Sequence, residues 1–227
     1  MNRRKFLDKS YLGLTTMLVA PETISKLSNK GNTHISKNSK IYAISTWNVP
    51  EANMKAGKVL ENGFSAIEAV VKGVAYEESN LLNTTVGKGG APDRDGVVSL
   101  DACVMNHTGN CGAVLAVENI THVAALAKEV MEKTPHVILA GKGARQFALE
   151  QGYTPENLLT EQSKKAWEKW VKNGNYKPEI NVENHDTIGM ICFDSSDNLS
   201  GACTTSGLAY KMSGRVGDSP IIGSGLY

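Results

Sequence analysis

The chain has 227 residues, with 24 basic against 23 acidic side chains, 41% hydrophobic residues and a formal net charge of +1. A charge so near balance sets up no field to gather nucleic acid or an anionic membrane surface, and the apolar content is that of a folding chain rather than a disordered one. One core burying roughly 70% of the unfolded surface is expected at this length; no run reaches the roughly 18 apolar residues of a spanning helix, and four scattered cysteines fit neither a disulfide scaffold nor a zinc site.

At the front, Arg3-Arg4-Lys5-Phe6-Leu7 precedes a mildly apolar run, Tyr11 to Ala20. A basic segment ahead of a short apolar one is an export signal, and the paired arginines resemble the twin-arginine type, so residues 1–24 are expected to be a signal and the protein to be exported to the periplasm or medium. The polar stretch 25–40 reads as a linker. Residues 41–186 and 187–227 form the two parts of the expected fold.

Ile41 to Trp47, β-branched and aromatic, predicts a strand. Ala52 to Asn62 and Ser65 to Glu78 carry apolar residues at helical spacing, broken by Gly63. A glycine-rich loop runs from Asn83 to Asp95, and Val97–Met105 with Gly112–Glu118 predicts a hairpin across residues 106–110. Helix Val123–Lys133, strand His136–Ala140, helix Gly143–Gln151 and helix Thr160–Asn173 follow. Lys172 to Asn184 is a polar connector with Gly174 and Pro178, and it abuts the strand Ile188–Phe193. A turn-rich Asp194–Asn198 and a last strand, Leu199–Ser206, complete a layered α/β pattern.

Common catalytic motifs are missing. Gly87-Lys88-Gly89-Gly90 and Gly141-Lys142-Gly143 lack phosphate-loop spacing and read as turns. The five histidines never fall at the i, i+4 spacing of a helical zinc site, and no Gly-x-Ser-x-Gly elbow occurs. Cys103 and Cys111 are compatible with a small bridge and equally with free buried thiols.

What remains gathers around Thr187. Asn184-His185-Asp186-Thr187-Ile188-Gly189-Met190, Gly201-Ala202-Cys203-Thr204-Thr205-Ser206-Gly207 and Gly214-Arg215-Val216-Gly217-Asp218-Ser219-Pro220 closely resemble segments of the glycosylasparaginases, or aspartylglucosaminidases, which are N-terminal-nucleophile hydrolases. Ser45-Thr46-Trp47-Asn48, Asp93-Arg94-Asp95-Gly96 and Glu132-Lys133-Thr134-Pro135-His136-Val137 match the same family. The related isoaspartyl peptidases and plant-type asparaginases usually carry Gly-Thr at the nucleophile, so His-Asp-Thr favours glycosylasparaginase.

The resemblance implies a four-layer αββα sandwich, incomplete at the C-terminus because family members continue into a Thr-Gly-His-Gly stretch that supplies the oxyanion hole. It implies self-cleavage between Asp186 and Thr187, with His185 and Asp186 assisting. A threonine hydroxyl is a weak nucleophile unless a base adjoins it, and the amine of a newly exposed N-terminus, with pKa about 7.7 to 8.0, is such a base. The catalytic residues implied are Thr187 and Thr205. Arg215, Val216, Gly217 and Asp218, with Trp47 and Thr85, are implied to bind substrate, Arg215 offering a planar fork to its carboxylate and Asp218 a carboxylate to its ammonium.

The substrate implied is a small molecule, asparagine or glycosyl-asparagine, without cofactor or metal, and the protein a heterodimer of cleaved fragments, itself able to dimerise, with no membrane attachment after processing. The alternatives are asparaginase or isoaspartyl peptidase activity, or an inactive truncated homologue that binds a small amino acid or another chain. Taken singly, Thr187 reads as a strand-opening threonine, Arg215 and Asp218 as a turn pair, and Trp47 as a core aromatic.

Overall fold

The computed structural model describes residues 40–174 and 187–227. The signal-like segment, all of the linker but Lys40, and His185 and Asp186 lie outside the described residues. The elements are β1 (Tyr42–Ser45), α1 (Pro50–Glu61), α2 (Ala66–Glu78), β2 (Ser99–Met105), β3 (Cys111–Glu118), α3 (Val123–Lys133), β4 (Ile138–Ala140), α4 (Gly141–Glu150), α5 (Glu161–Lys172), β5 (Ile188–Phe193) and β6 (Leu199–Thr205). Helix α1 starts two residues before the apolar spacing suggests, because Pro50 suits a first helical turn whose N–H groups have no intrahelical partner.

Six strands form one sheet in the order β1-β5-β6-β2-β3-β4. All neighbours are antiparallel except β3 and β4. The predicted hairpin is β2 and β3, and β6 returns from the other side to pair with β2, placing the sequence-distant β6 and β2 together at the centre.

One face of the sheet carries Ile188, Met190, Ala202, Ala102, Val104 and Val114, all buried in the main core with Ala52, Ala56 and Val70 of the helices. Helix α2 lies over β5 and β6, and α3 over β2 and β3. Close approach is needed: a Cβ on Gly73 would sit 2.5 Å from Met190 Sδ and 2.9 Å from Ala56 Cβ. The helices are also tied end to end by buried carboxylates. Glu78 of α2, fully buried, accepts from Ala124 N (2.9 Å) at the start of α3 and from Thr204 Oγ1 (2.8 Å) on β6. Asp194, in the β5–β6 turn, accepts from Ala66 N (2.9 Å) at the start of α2. Burial opposes the Asp194 charge, but backbone donors from Ala66, Asn198 and Ser196 outweigh it and hold the carboxyl below the usual range.

The opposite face is covered differently. Cys103, Ala113 and Cys203 are packed under Ile222 and Leu226 of the C-terminal segment. Further along, Tyr42, Ile44, Ile191 and Leu199 remain exposed, Ile44 by 64%. The α/β class expected from the sequence is observed, with two layers among the described residues: helices on one sheet, and an apolar second face of the kind another layer would cover. The four cysteines are free thiols; Cys103 stands opposite Cys203 rather than being bridged to Cys111.

Candidate active site

Thr187 immediately precedes β5. The strand is fixed there by β1: Thr46 N donates to Gly189 O (2.9 Å), and Gly189 N donates to Thr46 Oγ1 (3.1 Å). The next residue along from β1, Trp47, turns its indole back so that Nε1 donates to the Thr187 carbonyl at 2.7 Å, and Thr46 Oγ1 reaches the same oxygen at 3.4 Å. Trp47 is 51% exposed, so it is a lid over the strand's start and not a core aromatic. The Thr187 carbonyl belongs to the peptide bond following the residue. Its clamps therefore hold the residue from its C-terminal side.

The Thr187 hydroxyl meets Ser219 Oγ at 2.5 Å. Ser219 is buried and rigidly packed: a Cβ on Gly225 would lie 2.5 Å from both its Cα and its carbonyl oxygen, so only glycine fits against it. Ser219 follows Asp218 directly, which brings the Arg215–Asp218 loop to the start of β5. Among the described residues neither Arg215 nor Asp218 has a side-chain hydrogen bond or ion pair, and both are exposed. The Arg215 guanidinium lies over Gly217, where a Cβ would be 3.1 Å from Nη1. Val216 is partly buried between them.

Thr205 ends β6. The last register pair is Ile188 with Thr204, so Thr187 and Thr205 stand side by side at the same end of the sheet. Thr205 Oγ1 donates to Thr85 O (3.4 Å) and accepts from Gly207 N (2.9 Å), while Ser206 N also donates to Thr85 O (2.8 Å). Thr85 is held in turn by Asn83 Oδ1, which accepts from its N–H and its hydroxyl, both at 2.9 Å. Beside it opens a cavity of about 290 Å³ lined by Thr85, Ala91, Gln162, Gly207 and Tyr210, with Tyr210 stacked on Trp170 of α5.

Behind the site lies a buried ion pair. Lys211, whose side chain is only 1% exposed, donates from Nζ to Ser206 O (2.9 Å) and Ser99 O (3.4 Å) and stands 3.9 Å from Asp101 Oδ2. Asp101 sits at a bulge where β2 and β3 shift register, and its Oδ1 accepts from Ala116 N (2.7 Å). Burial pushes the Asp101 carboxyl up and the Lys211 ammonium down, each only partly offset by the other's charge. Asp101 is the register partner of Thr205, so the pair locks the loop carrying Arg215 to the central strands.

The structure thus brings together Thr187, Trp47, Thr205, Thr85 and the Arg215–Asp218 loop, at one end of one sheet. His185 and Asp186 lie outside the described residues. Three contributors were not singled out from the sequence. Thr46 stands within a quoted motif without a role, Ser219 adjoins Asp218 with nothing to tie it to a residue 32 positions away, and Lys211 reads as an ordinary surface lysine. No group of three or more metal-ligating side chains exists among the described residues.

A mixed sheet with helices packed on it defines the class of molecule, an α/β protein, and its strand-opening Thr187 is clamped beside the Arg215–Asp218 loop. The family model described as asparaginase matches residues 27–227. An N(4)-(beta-N-acetylglucosaminyl)-L-asparaginase of Elizabethkingia miricola is 51% identical over 227 residues, covering 100% of this chain and 66% of that protein. The protein of the same name from Rattus norvegicus is 34% identical, covering 81% of this chain and 62% of its own length. A putative one from Drosophila melanogaster is also 34% identical, covering 91% of this chain and 64% of its own length. The chain belongs to the asparaginase family, and it spans a little under two thirds of the length of these relatives.

Proposed function

We propose that this chain is an amidohydrolase that cleaves the side-chain amide of asparagine, with N4-glycosylated asparagine as substrate, through Thr187 acting as an N-terminal nucleophile. The observation that supports the reading is the setting of Thr187: its carbonyl is clamped by Trp47 and Thr46, its hydroxyl faces Ser219, and Ser219 adjoins the loop of Arg215 and Asp218, whose side chains have no hydrogen-bond or ion-pair partner among the described residues. The names of the relatives supply the substrate class.

In this reading the Thr187 hydroxyl first attacks the carbonyl of Asp186. The acyl group moves from nitrogen to oxygen, and water hydrolyses the ester, leaving Thr187 with a free amine. That amine then takes the proton of its own hydroxyl as the oxygen attacks the substrate's side-chain carbonyl. A glycosylamine, or ammonia from free asparagine, departs, and water releases aspartate from the β-aspartyl ester. Arg215 holds the substrate α-carboxylate and Asp218 its α-ammonium. Thr205 stands beside the nucleophile, and the fragments ending at Asp186 and starting at Thr187 remain associated through the pairing of β5 with β1 and of β6 with β2. The paired arginines at the N-terminus direct export in the same reading.

Mass spectrometry of purified protein tests the first step: a cut between Asp186 and Thr187 in the wild type and none in Thr187→Ala. Aspartate released from glycosyl-asparagine faster than from free asparagine then assigns the substrate. An uncut chain that binds aspartate without turnover would make it a binding homologue instead.

A further inference from the structure

Outside the proposed chemistry, the second face of the sheet holds a pair of thiols in an unusual setting. Cys103 on β2 and Cys203 on β6 are direct register partners in an antiparallel pair. Opposed residues in such a pair have Cα atoms roughly 4.5 to 5.5 Å apart, inside the roughly 4.4 to 6.8 Å range that a disulfide spans. Both side chains project to the same face, where they interact with one another.

Their hydrogens point to one target. Cys103 Sγ donates to Ser219 O and Cys203 Sγ to Gly225 O, each at 3.1 Å. The two thiols therefore pin both ends of the segment Ser219–Gly225. The near end of that segment is the residue whose hydroxyl touches Thr187 at 2.5 Å.

We propose that Cys103 and Cys203 are a dithiol–disulfide couple, a redox modification site whose reduced form docks the segment Ser219–Gly225 and whose oxidised form releases it. The co-reactant is a small-molecule disulfide. The Cys203 thiolate attacks one of its sulfurs, forming a mixed disulfide and expelling one thiolate. The Cys103 thiolate then attacks Cys203 Sγ, forming the cross-strand bond and expelling the second. Two protein thiols lose two protons and two electrons, and one external disulfide becomes two thiols.

The order of attack follows from the surroundings. When Cys203 ionises, the Cys103 S–H turns from the Ser219 carbonyl to the new thiolate, which draws Cys203 below its ordinary range against burial and the charge of Asp218, whereas contact with Cys203 and then burial hold Cys103 above its own. Cys203 is also the less enclosed, at 6% exposed against 0%. Closing the bridge consumes both S–H donors, so neither the Ser219 nor the Gly225 carbonyl keeps its thiol partner.

The test is made on the full chain with oxidised glutathione, without reference to hydrolysis. Peptide mass mapping should find a loss of two thiols, located as a Cys103–Cys203 bridge that dithiothreitol reverses. Amide hydrogen exchange at Ile221, Gly223, Ser224 and Gly225 should then speed up about fivefold, the factor equivalent to about 1 kcal/mol of lost pinning. The variant Cys203→Ser should form no bridge and show no change in exchange. Four persistent thiols, a bridge that uses Cys111, or a Cys103–Cys203 bridge with unchanged exchange would each overturn the proposal. None of these outcomes bears on whether Thr187 cleaves asparagine.

Discussion

At the residue scale the site is built on two contacts to Thr187 that do opposite things. Trp47 and Thr46 fix the backbone after it, while Ser219 sets the direction of its hydroxyl. A net hydrogen bond contributes about 1 kcal/mol, and about 1.4 kcal/mol is tenfold in rate. Trp47→Phe keeps the aromatic cover and removes the donor, so cleavage at Asp186–Thr187 should slow by roughly fivefold, measured as appearance of the new N-terminus with time. The threonine, the arginine and the aspartate were legible because they stand in recognisable runs. Ser219 and Thr46 were not, because what gives them a role is the folding of β1 and the C-terminal segment against β5.

At the scale of elements, periodicity located the helices and the hairpin to within a few residues, since one face of each helix meets the same core. Periodicity is silent on what joins their ends. Helix α3 has no capping side chain of its own; its N-terminus is served by Glu78 of α2, which also accepts from Thr204 and meets His122 Nδ1 at 3.3 Å. The hydrogen bond to Glu78 raises the His122 pKa above its ordinary 6.5; burial and Lys72 oppose, and the charges of Glu78 and Glu156 assist.

A group whose pKa is raised on folding stabilises most below its unfolded pKa and loses that contribution as pH rises through the folded value. Thermal unfolding of the wild type should therefore show a contribution that fades above about pH 6.5. In His122→Gln that component should be absent, with the alkaline end little changed. A midpoint that changes through this window by the same amount in both proteins would show that His122 does not titrate as described.

The described residues form one sheet with α1 to α4 on one face, and the other face is where the site's supports lie. Order and class of the elements could be read from the sequence. That β6 crosses back to lie between β5 and β2 could not, because nothing local encodes which strands pair; yet this crossing sets Thr205 beside Thr187 and gives Asp101 and Lys211 their place. Lys211 joins the loop of Arg215 to both central strands through Ser206 O and Ser99 O. Removing one partner of a buried pair strands the other, at a cost of roughly 3 to 5 kcal/mol. Lys211→Met should lower stability by about 3 kcal/mol in urea titration, far more than replacement of an exposed lysine such as Lys142.

The central claim is that Thr187 becomes a nucleophile by freeing its own amine. The intact mass of the purified chain, followed through a long incubation near pH 7, tests it most directly. The account predicts two fragments, one ending at Asp186 and one beginning at Thr187, with only full-length chain in Thr187→Ala. A wild-type chain that stays whole, or a cut at this bond that persists in Thr187→Ala, would contradict it.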